Sequence, residues 1–320
     1  MAGPGAGQEG SSLTPAGSNA GPQPQETAGR SQAVGVALVV LAALSWSTAG
    51  LFPRMVSTDV FTTLFWRSLL GGLSVVLFQL TLQRGQPIAS PLRLSRQEFI
   101  MSVLSGGAMV CFIAAFYFTS VADVVFIYGA FPMLTLVLSA LLLRTAIPVA
   151  DATCALAVAL GMALILGGQA SMHNAFGTLL SLVATLLFAL MTIAIKRYPG
   201  AQMVKVTYTG ALLAAALLAP LSNLGATSLH DMAWLWLYGF FNIGVGFGCY
   251  LLGVRRLRAV LASLICMIEI PLSPLWAYLL FDEKVARTTL WGGALILLAL
   301  LVNLAWSART GGTQAPPPPV

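Results

Sequence analysis

The stretch LASLICMIEIPLSPLWAYLLF, residues 261–281, decides how the rest of the chain is interpreted. A nearly unbroken apolar segment of this length forms a helix of roughly 30 Å, which matches the hydrocarbon thickness of a bilayer. Glu269 lies near its middle, where an ionised carboxylate is costly unless a cavity, a partner or a proton neutralises it. Pro271 cannot donate a backbone hydrogen bond, which predicts a free carbonyl group one turn earlier, at Met267. The segment therefore predicts a membrane helix beside a polar cavity, or alternatively a kinked helix in which a protonated Glu269 only stabilises packing.

The composition is that of a membrane protein. Of the 320 residues, 58% are hydrophobic and 8% are charged, whereas soluble domains carry about 25% charged residues. The net charge of +6 does not indicate a nucleic-acid-binding protein, because the Lys and Arg residues lie in short segments between apolar runs. The four cysteines form no C-x-x-C motif and have no neighbouring histidine, so we expect no disulfide, metal or cofactor.

Ten apolar segments, which we number spans one to ten, are candidate membrane helices. In chain order they are residues 34–52, 60–82, 99–119, 124–143, 152–168, 176–195, 206–221, 233–252, 261–281 and 289–306. Span seven is short and mixed, and span five is at the lower limit of length, so eight or nine spans are alternatives. Residues 1–32 and 308–320 are too poor in apolar side chains to fold, and we predict that they are disordered cytoplasmic tails.

The distribution of positive charge predicts the orientation of the spans. With the N-terminus in the cytoplasm, twelve Lys and Arg residues lie inside and three lie outside. The inner residues are Arg30, Arg84, Arg93, Arg96, Arg144, Lys196, Arg197, Lys205, Arg255, Arg256, Arg258 and Arg309, and the outer ones are Arg54, Lys284 and Arg287. This asymmetry predicts that both termini are cytoplasmic. It also favours an even number of spans, since removing one would place the cluster at 255–258 outside.

The two halves of the chain resemble each other. GMALIL at 161–166 recurs as GGALIL at 292–297, and Pro132 of span four aligns with Pro271 of span nine. Because each half contains five spans, the two copies enter the membrane from opposite sides. Such an inverted repeat predicts a site at the midplane between the halves and provides the two states of alternating access. The predicted repeats are residues 33–168 and 174–307.

Four motifs occur together in an order that is typical of one family. They are SWSTAG in span one, FWRSLLGG in span two, GAFPMLTLVLSALLL in span four and IEIPLSPLWAYLLFDEKV in span nine. With them, residues 34–306 resemble the drug/metabolite transporter superfamily, specifically proteins built from two EamA domains. The resemblance implies an all-α basket of ten helices around a central cavity, and export of a small organic solute. The chain departs from the family at Arg144, where an acidic residue is frequent, although Glu283 keeps the counterpart in span nine.

Two charged residues within the spans are candidate solute ligands. Arg67 lies about 10 Å from the outer end of span two, where it could hold a carboxylate through bidentate hydrogen bonds or extend to the outer surface. Glu269 is the deepest acidic residue, and it could carry a coupling proton or bind the cationic group of a solute. The side chains of the oppositely directed spans two and nine lean apart, so we expect separate roles for Arg67 and Glu269.

Aromatic side chains are candidate parts of the cavity lining. Trp46, Tyr128, Tyr250 and Trp276 could stack on an aromatic or cationic solute. More often such rings face lipid or neighbouring helices, and that interpretation stays open here.

Four further residues are candidate structural positions. Pro132 and Pro271 predict kinks in spans four and nine. Gly244 and Gly248 are four residues apart in span eight, which permits close approach of another helix or provides a hinge.

The sequence predicts a transporter and not an enzyme. It contains no metalloprotease, nucleophile-elbow or phosphate-loop motif. We predict a secondary transporter of the inner or plasma membrane that exports a small metabolite, such as an amino acid, by alternating access. The alternative is an efflux carrier for organic cations or toxic compounds. A channel ranks lower because no repeated polar ring is evident, and a nucleotide-sugar carrier because only Arg67 lies within a span.

The expected partners follow from this function. They are a small-molecule substrate and the lipid bilayer, with protons as a candidate coupling ion and no nucleic acid. The pattern is compatible with a monomer.

Overall fold

All regular secondary structure in the described residues is helical, and those residues contain no β-strand. The structure is a computed structural model that describes residues 24–82, 94–143, 147–168, 171–198, 200–254, 256–257 and 259–309. The α-helices are α1 (Pro24–Ser47), α2 (Phe52–Met55), α3 (Val60–Leu82), α4 (Arg96–Phe118), α5 (Val121–Gly129), α6 (Phe131–Leu143), α7 (Val149–Gly167), α8 (Met172–Arg197), α9 (Met203–Leu218), α10 (Leu229–Leu237), α11 (Gly246–Val254), α12 (Ala259–Cys266), α13 (Glu269–Phe281) and α14 (Arg287–Arg309). Short 3₁₀ helices cover Ala219–Leu221 and Leu224–Ala226, and a π-helix, Tyr238–Val245, joins α10 to α11.

Several helical segments have the length and composition of membrane spans. Seven are long and apolar enough to cross a bilayer, and α5 with α6 makes an eighth if the bent pair counts as one span. On α7, Leu156, Leu160 and Leu164 are exposed and suit contact with lipid. The described part of the chain thus has the helices of a multi-pass membrane protein. Seven or eight spans are fewer than the ten predicted, because the apolar part of α1 is short and span nine is broken.

The first helix differs in its bounds from the first predicted span. α1 begins at Pro24, so residues 24–32, assigned above to an N-terminal tail, belong to a helix. Proline is well accommodated in the first turn of a helix, which explains this start. The rest of the predicted tail, residues 1–23, and residues 310–320 lie outside the described ranges, as does Arg144.

Spans four and nine are each interrupted near the middle. α5 and α6 meet at Ala130 with a bend of 42°. Pro132 follows this break and has no N–H for the carbonyl one turn earlier, which explains why a straight helix does not continue. α12 ends at Cys266 and α13 begins at Glu269, with Pro271 two residues further on.

The second break also corrects one prediction. The carbonyl of Met267 accepts the backbone N–H of Ile270 at 3.2 Å. The expectation of a free carbonyl at Met267 is therefore wrong, because the chain tightens into a turn that satisfies it.

Serine residues begin several helices and fix where they start. Ser95 accepts the N–H of Glu98 at 3.2 Å, and the Glu98 carboxylate accepts the N–H of Ser95 at 2.9 Å, which makes a capping box at α4. Ser120 accepts the N–H of Asp123 at 3.1 Å at the start of α5. These caps satisfy N–H groups that have no partner within the helix.

Glycines allow helices from different parts of the chain to pack closely. A Cβ atom on Gly106 of α4 would lie 2.5 Å from the carbonyl oxygen of Gly210 of α9, and one on Gly210 would lie 2.7 Å from that of Ser102. α4 also packs against α8, α7 against α14, and α1 against α11. Each of these pairs joins an early helix to a late one, so the two halves form a single bundle.

Candidate functional site

Glu269 lies at the break between α12 and α13, where its side chain is half-buried. The Tyr128 hydroxyl and the Cys266 thiol lie close enough to its carboxylate to interact with it electrostatically. Among the described residues no hydrogen-bond donor to this carboxylate is found. The break therefore presents an acidic group to the interior of the bundle, and the described residues form no ion pair with it.

Aromatic rings from several helices pack together, with Tyr128 interacting with Glu269, and we call these rings the central aromatic cluster. Tyr128 packs against Phe112 at 5.1 Å and Phe188 at 5.8 Å between ring centroids. Trp46 packs against both Phe247 and Tyr250 at 5.3 Å. The cluster consists of Trp46, Phe112, Tyr128, Phe131, Phe188, Phe247 and Tyr250.

The two parts of the cluster meet near Glu269. Tyr250 is an electrostatic neighbour of both Tyr128 and Cys266. Trp46, Tyr128 and Tyr250 are half-buried, like Glu269, so part of each side chain remains free to contact a solute. Three of the aromatic residues predicted to line the cavity thus lie in one region with Glu269. Such a combination of acid and π-faces suits a cationic group.

Arg67 occupies a different environment, on α3. Its side chain is buried, with 4% exposed, and does not extend to the outer surface. Nη2 donates to Oδ1 of Asn242 at 2.7 Å, and the guanidinium carbon lies 4.7 Å from the centroid of the Tyr238 ring. Nε and Nη1 have no hydrogen-bond partner in the described part of the chain. Arg67 therefore keeps unused donors for an anion, but the described residues supply it with no carboxylate.

Trp276 also has a fixed partner. Its indole N–H donates to Oγ of Ser47 at 3.2 Å, which links α13 to the end of α1. Ser47 in turn donates to the carbonyl of Leu44 at 2.8 Å. Trp276 thus contacts the same helix that carries Trp46, but among the described residues it makes no ring contact with the central aromatic cluster.

The predicted structural residues have distinct surroundings. Pro132 and Pro271 are exposed beside the two breaks. A Cβ atom on Gly244 would lie 2.9 Å from Cβ of Ser74, and one on Gly248 would lie 3.1 Å from the Phe78 ring. Both glycines therefore lie where the π-helix and α11 closely approach α3.

Sequence reasoning did not single out the π-helix or the role of Asn242. Asn242 is 3% exposed and bonds to both α1 and α3. The available signal was a lone amide in an apolar span, which requires partners inside the bundle. Nothing in the residue pattern located the π-helix, because its eight residues are as apolar as their helical neighbours.

Polar contacts also join the halves at the end of the bundle predicted to be outside. Arg54 forms an ion pair with Glu283 at 2.5 Å. The other carboxylate oxygen of Glu283 accepts the backbone N–H of Val121 at 2.7 Å, at the start of α5. Thr289 of α14 donates to Asp123 of α5 at 2.6 Å.

At the opposite end, two acidic residues have partners in the second half. Glu98 of α4 pairs with Lys205 of α9 at 3.2 Å, and both are buried. Asp151 of α7 accepts a hydrogen bond from Asn303 of α14 at 2.6 Å. Polar groups buried in this way require such partners.

Two open cavities lie at the ends of the bundle, away from Glu269. One of about 420 Å³ is bordered by Arg54, Tyr117, Asn174 and Glu283. The other, of about 450 Å³, is bordered by Ser95, Glu98, Arg197 and Tyr198.

Comparison with known proteins gives the class to which this architecture belongs. Residues 33–167 and 175–305 match the EamA-like transporter family. These matches cover most of the chain, which therefore belongs to the EamA-like transporter family, and the resemblance drawn from the four motifs is confirmed.

Two individual relatives agree with this assignment. An uncharacterized transporter of Archaeoglobus fulgidus is 28% identical over 279 residues, which are 85% of this chain and 96% of that protein. A crystal structure with 18% sequence identity has a TM-score of 0.63 and covers 87% of this chain and 99% of its own, a likeness of fold. The chain accordingly belongs to a family of membrane transporters.

Proposed function

We propose that the protein is a secondary transporter that exports a small metabolite bearing an amino group, such as an amino acid, across the inner or plasma membrane. The observation that carries this proposal is the half-buried Glu269 carboxylate among Trp46, Tyr128 and Tyr250. A carboxylate inside a membrane protein requires a cation or a proton. An ammonium group satisfies this need through charge, and the rings add cation–π contact.

The mechanism that we propose is alternating access in ten spans. Helix breaks at Ala130 and at Glu269 occur in spans that are equivalent in the two predicted repeats. Interrupted helices at the interface between repeats are typical of substrate sites in secondary transporters. The proposed repeats are residues 33–168 and 174–307, with both termini in the cytoplasm.

The polar contacts between the halves support this topology. The pairs Arg54–Glu283 and Asp123–Thr289 each join two residues predicted to be near the outer surface. The pairs Glu98–Lys205 and Asp151–Asn303 each join two residues predicted to be near the inner surface. An odd number of spans between the partners of any pair would place them on opposite sides of the membrane.

Glu269 is also the proposed coupling group. If it binds a proton and the solute in turn, one carboxylate can exchange them between the two faces of the membrane. Arg67, with two unpartnered nitrogen atoms, is the proposed ligand for a solute carboxylate. Trp276 is the proposed aromatic contact on the outer side.

A second candidate function is efflux of organic cations. It is favoured by one observation: Glu269 interacts with the Tyr128 ring hydroxyl, whereas Arg67 is already bonded to Asn242 and covered by Tyr238. An organic cation needs only the Glu269 region, and an amino acid also needs the anion-binding group.

Reconstituted vesicles distinguish these functions. A panel of radiolabelled amino acids and organic cations is measured with and without a pH gradient, using wild type, Glu269→Gln and Arg67→Ala. Amino acid export requires that both variants lose transport, whereas cation efflux requires loss only in Glu269→Gln. Asp151→Asn is the matched control, because it also neutralises a carboxylate but lies at a helix end, bonded to Asn303. Unchanged transport and pH dependence in Glu269→Gln would refute both assignments of Glu269.

A further inference from the structure

The π-helix Tyr238–Val245 has its backbone satisfied in part by side chains of α1. In a π-helix the hydrogen bonds skip one residue further than in an α-helix, and such segments are frequent at functional sites. Oγ of Ser45 donates to the carbonyl of Phe241 at 2.6 Å, and Nε1 of Trp46 donates to the carbonyl of Asn242 at 3.1 Å. α1 is therefore attached to the widened turn by two consecutive side chains.

The side chain of Asn242 adds a hydrogen bond from the π-helix to the backbone of α1. Nδ2 donates to the carbonyl of Ser45 at 3.2 Å, while Oδ1 accepts the hydrogen bond from Arg67. Each polar atom of the amide thus has a partner, one on α1 and one on α3. Because the amide is buried, loss of either bond would leave a polar group unsatisfied inside the bundle.

These bonds determine where Trp46 can lie. Its indole N–H is fixed by the backbone of residue 242, and the preceding residue, Ser45, is held by the Asn242 side chain. Gly246 faces the indole, and a Cβ atom there would overlap the ring nitrogen. The ring consequently packs against Tyr250 in the central aromatic cluster.

The same amide determines where Arg67 lies. Its guanidinium is held between Oδ1 of Asn242 and the face of the Tyr238 ring. Tyr238 is itself fixed, because its hydroxyl donates to the carbonyl of Ala49 at 2.9 Å. One buried residue thus orients two of the side chains that we assign to solute binding.

We propose that Asn242 is a positioning residue: held in the π-helix, it sets the orientation of Trp46 and Arg67 and thereby the affinity for the solute, without contacting the solute. The predicted effect of Asn242 on solute affinity rests on the proposed function. The structural part, the orientation of Trp46, is independent of which solute is carried.

The spectroscopic test uses 5-fluorotryptophan-labelled protein in detergent, without solute. The ¹⁹F resonance of Trp46 is assigned as the signal that Trp46→Phe lacks. In Asn242→Leu, which is similar in size but forms neither hydrogen bond, the Trp46 resonance is expected to shift more than the signals of the other tryptophans. Asn242→Asp keeps an acceptor for Arg67 but loses the donor to Ser45. It is also expected to shift the ¹⁹F resonance of Trp46.

The matched control is Asn303→Leu, which removes another amide and its hydrogen bond to Asp151 but lies on α14. It is expected to leave the Trp46 resonance in place. An unmoved Trp46 resonance in Asn242→Leu would overturn the proposal, even if the variant is less stable, because Asn242 would then only hold helices together.

Transport kinetics test the functional part. Loss of one buried hydrogen bond at a site corresponds to about 10-fold in affinity, so Asn242→Leu is expected to raise KM about 10-fold for the transported solute with a smaller change in the maximal rate. An unchanged KM together with a shifted Trp46 signal would overturn the link to affinity. If wild-type vesicles transport none of the panel, the proposed function fails, and the ¹⁹F result still decides whether Asn242 orients Trp46.

Discussion

Gly161 of α7 and Gly292 of α14 lie against each other's backbone. A Cβ atom on Gly161 would lie 2.7 Å from the carbonyl oxygen of Gly292, and one on Gly292 would lie 2.5 Å from that of Gly161. Both glycines begin the hexamer that the sequence repeats, at 161–166 and 292–297. Reciprocal contacts of this kind are what a two-fold relation between similar halves produces. The repeated hexamer thus marks the contact between α7 and α14.

Substitution of Gly161 should therefore destabilise the bundle. In Gly161→Ala the new methyl group meets a backbone carbonyl and Ile296, both at 2.7 Å, and a backbone atom cannot turn away. We expect a loss of about 1–3 kcal/mol in the free energy of unfolding, measured by SDS titration in mixed micelles. The control is Gly167→Ala on the same helix, where a Cβ atom meets nothing within 4 Å. Equal stability of the two variants would contradict the close contact.

Glu283 should contribute more stability than its ion-pair partner. Glu283→Ala removes both the pair with Arg54 and the acceptor for the Val121 N–H, whereas Arg54→Ala removes the pair and a local hydrogen bond from Nη1 to the carbonyl of Gly50 at 2.8 Å. The pair is partly exposed, and such pairs contribute about 0–1 kcal/mol, while loss of a helix cap costs about 1 kcal/mol. Unfolding of both variants is compared with that of Lys284→Ala, an exposed neighbour. Equal losses for Glu283→Ala and Arg54→Ala would show that the cap is unimportant.

The contact between Asp123 and Thr289 gives a third prediction. Thr289→Val keeps the shape of the side chain but removes the donor to the buried Asp123 carboxylate. Hydrogen bonds to charged groups contribute about 1.5–3 kcal/mol to the free energy of unfolding. We expect a loss near the lower end of this range, because Thr119 still donates to Asp123. Thr288→Val, at the exposed neighbouring position, should change the unfolding free energy little. Similar losses in both variants would argue against this bond.

The start of α3 should lose stability in acid. Burial raises the pKa of Asp59, but hydrogen bonds from the side chain and backbone of Thr62 and from the backbone of Phe61 outweigh it and lower the pKa below its usual range. A lowered pKa in the folded state means that the ionised carboxylate stabilises the protein above the unfolded-state pKa, and that this contribution is lost as the pH falls through the folded-state pKa. Asn can cap a helix without titrating.

Acidification from neutral pH to below the pKa of Asp59 should lower the Tm of wild type. We expect the Tm of Asp59→Asn to fall less over the same pH range. Differential scanning fluorimetry in detergent over this range measures the difference between the two proteins. An identical pH dependence would mean that the Asp59 cap does not respond to acid.

The proposed topology predicts which residues can be labelled from each side of the membrane. In a background without the four natural cysteines, a single cysteine at Lys284 should react with a membrane-impermeant maleimide in intact cells. A cysteine at Arg256 should react only after permeabilisation. Labelling of position 256 from outside would overturn both the ten-span topology and the inverted repeat.

Several features of the fold follow from the sequence because they depend on local physics. Apolar length places the helices, and the prolines at 132 and 271 mark the two interrupted spans. The proximity of Trp46, Tyr128 and Tyr250 to Glu269 depends on the packing of several helices. The resemblance to a known family predicted a central cavity, whereas the residues alone left the rings equally compatible with lipid contact.

Other features could not be read from the sequence. The partner of Arg67 is an amide 175 residues away, and no local pattern connects the two. The sequence places Lys205 among the positive residues that flank the spans on the cytoplasmic side. It does not reveal that Lys205 is buried and paired with Glu98 of another helix. Pairings of this kind arise only when long-range packing brings the elements together.

The carboxylate of Glu283 binds two partners, and this affects how the end of the bundle predicted to be outside can open. Its two oxygens bind Arg54 and the first turn of α5, so the segment that follows α13 cannot withdraw from one partner and keep the other in place. Release would leave the Val121 N–H without this acceptor and break the ion pair of Arg54 in the same event. We expect the end of the bundle predicted to be outside to have two states, with Glu283 either bound to both partners or released from both, rather than to open gradually.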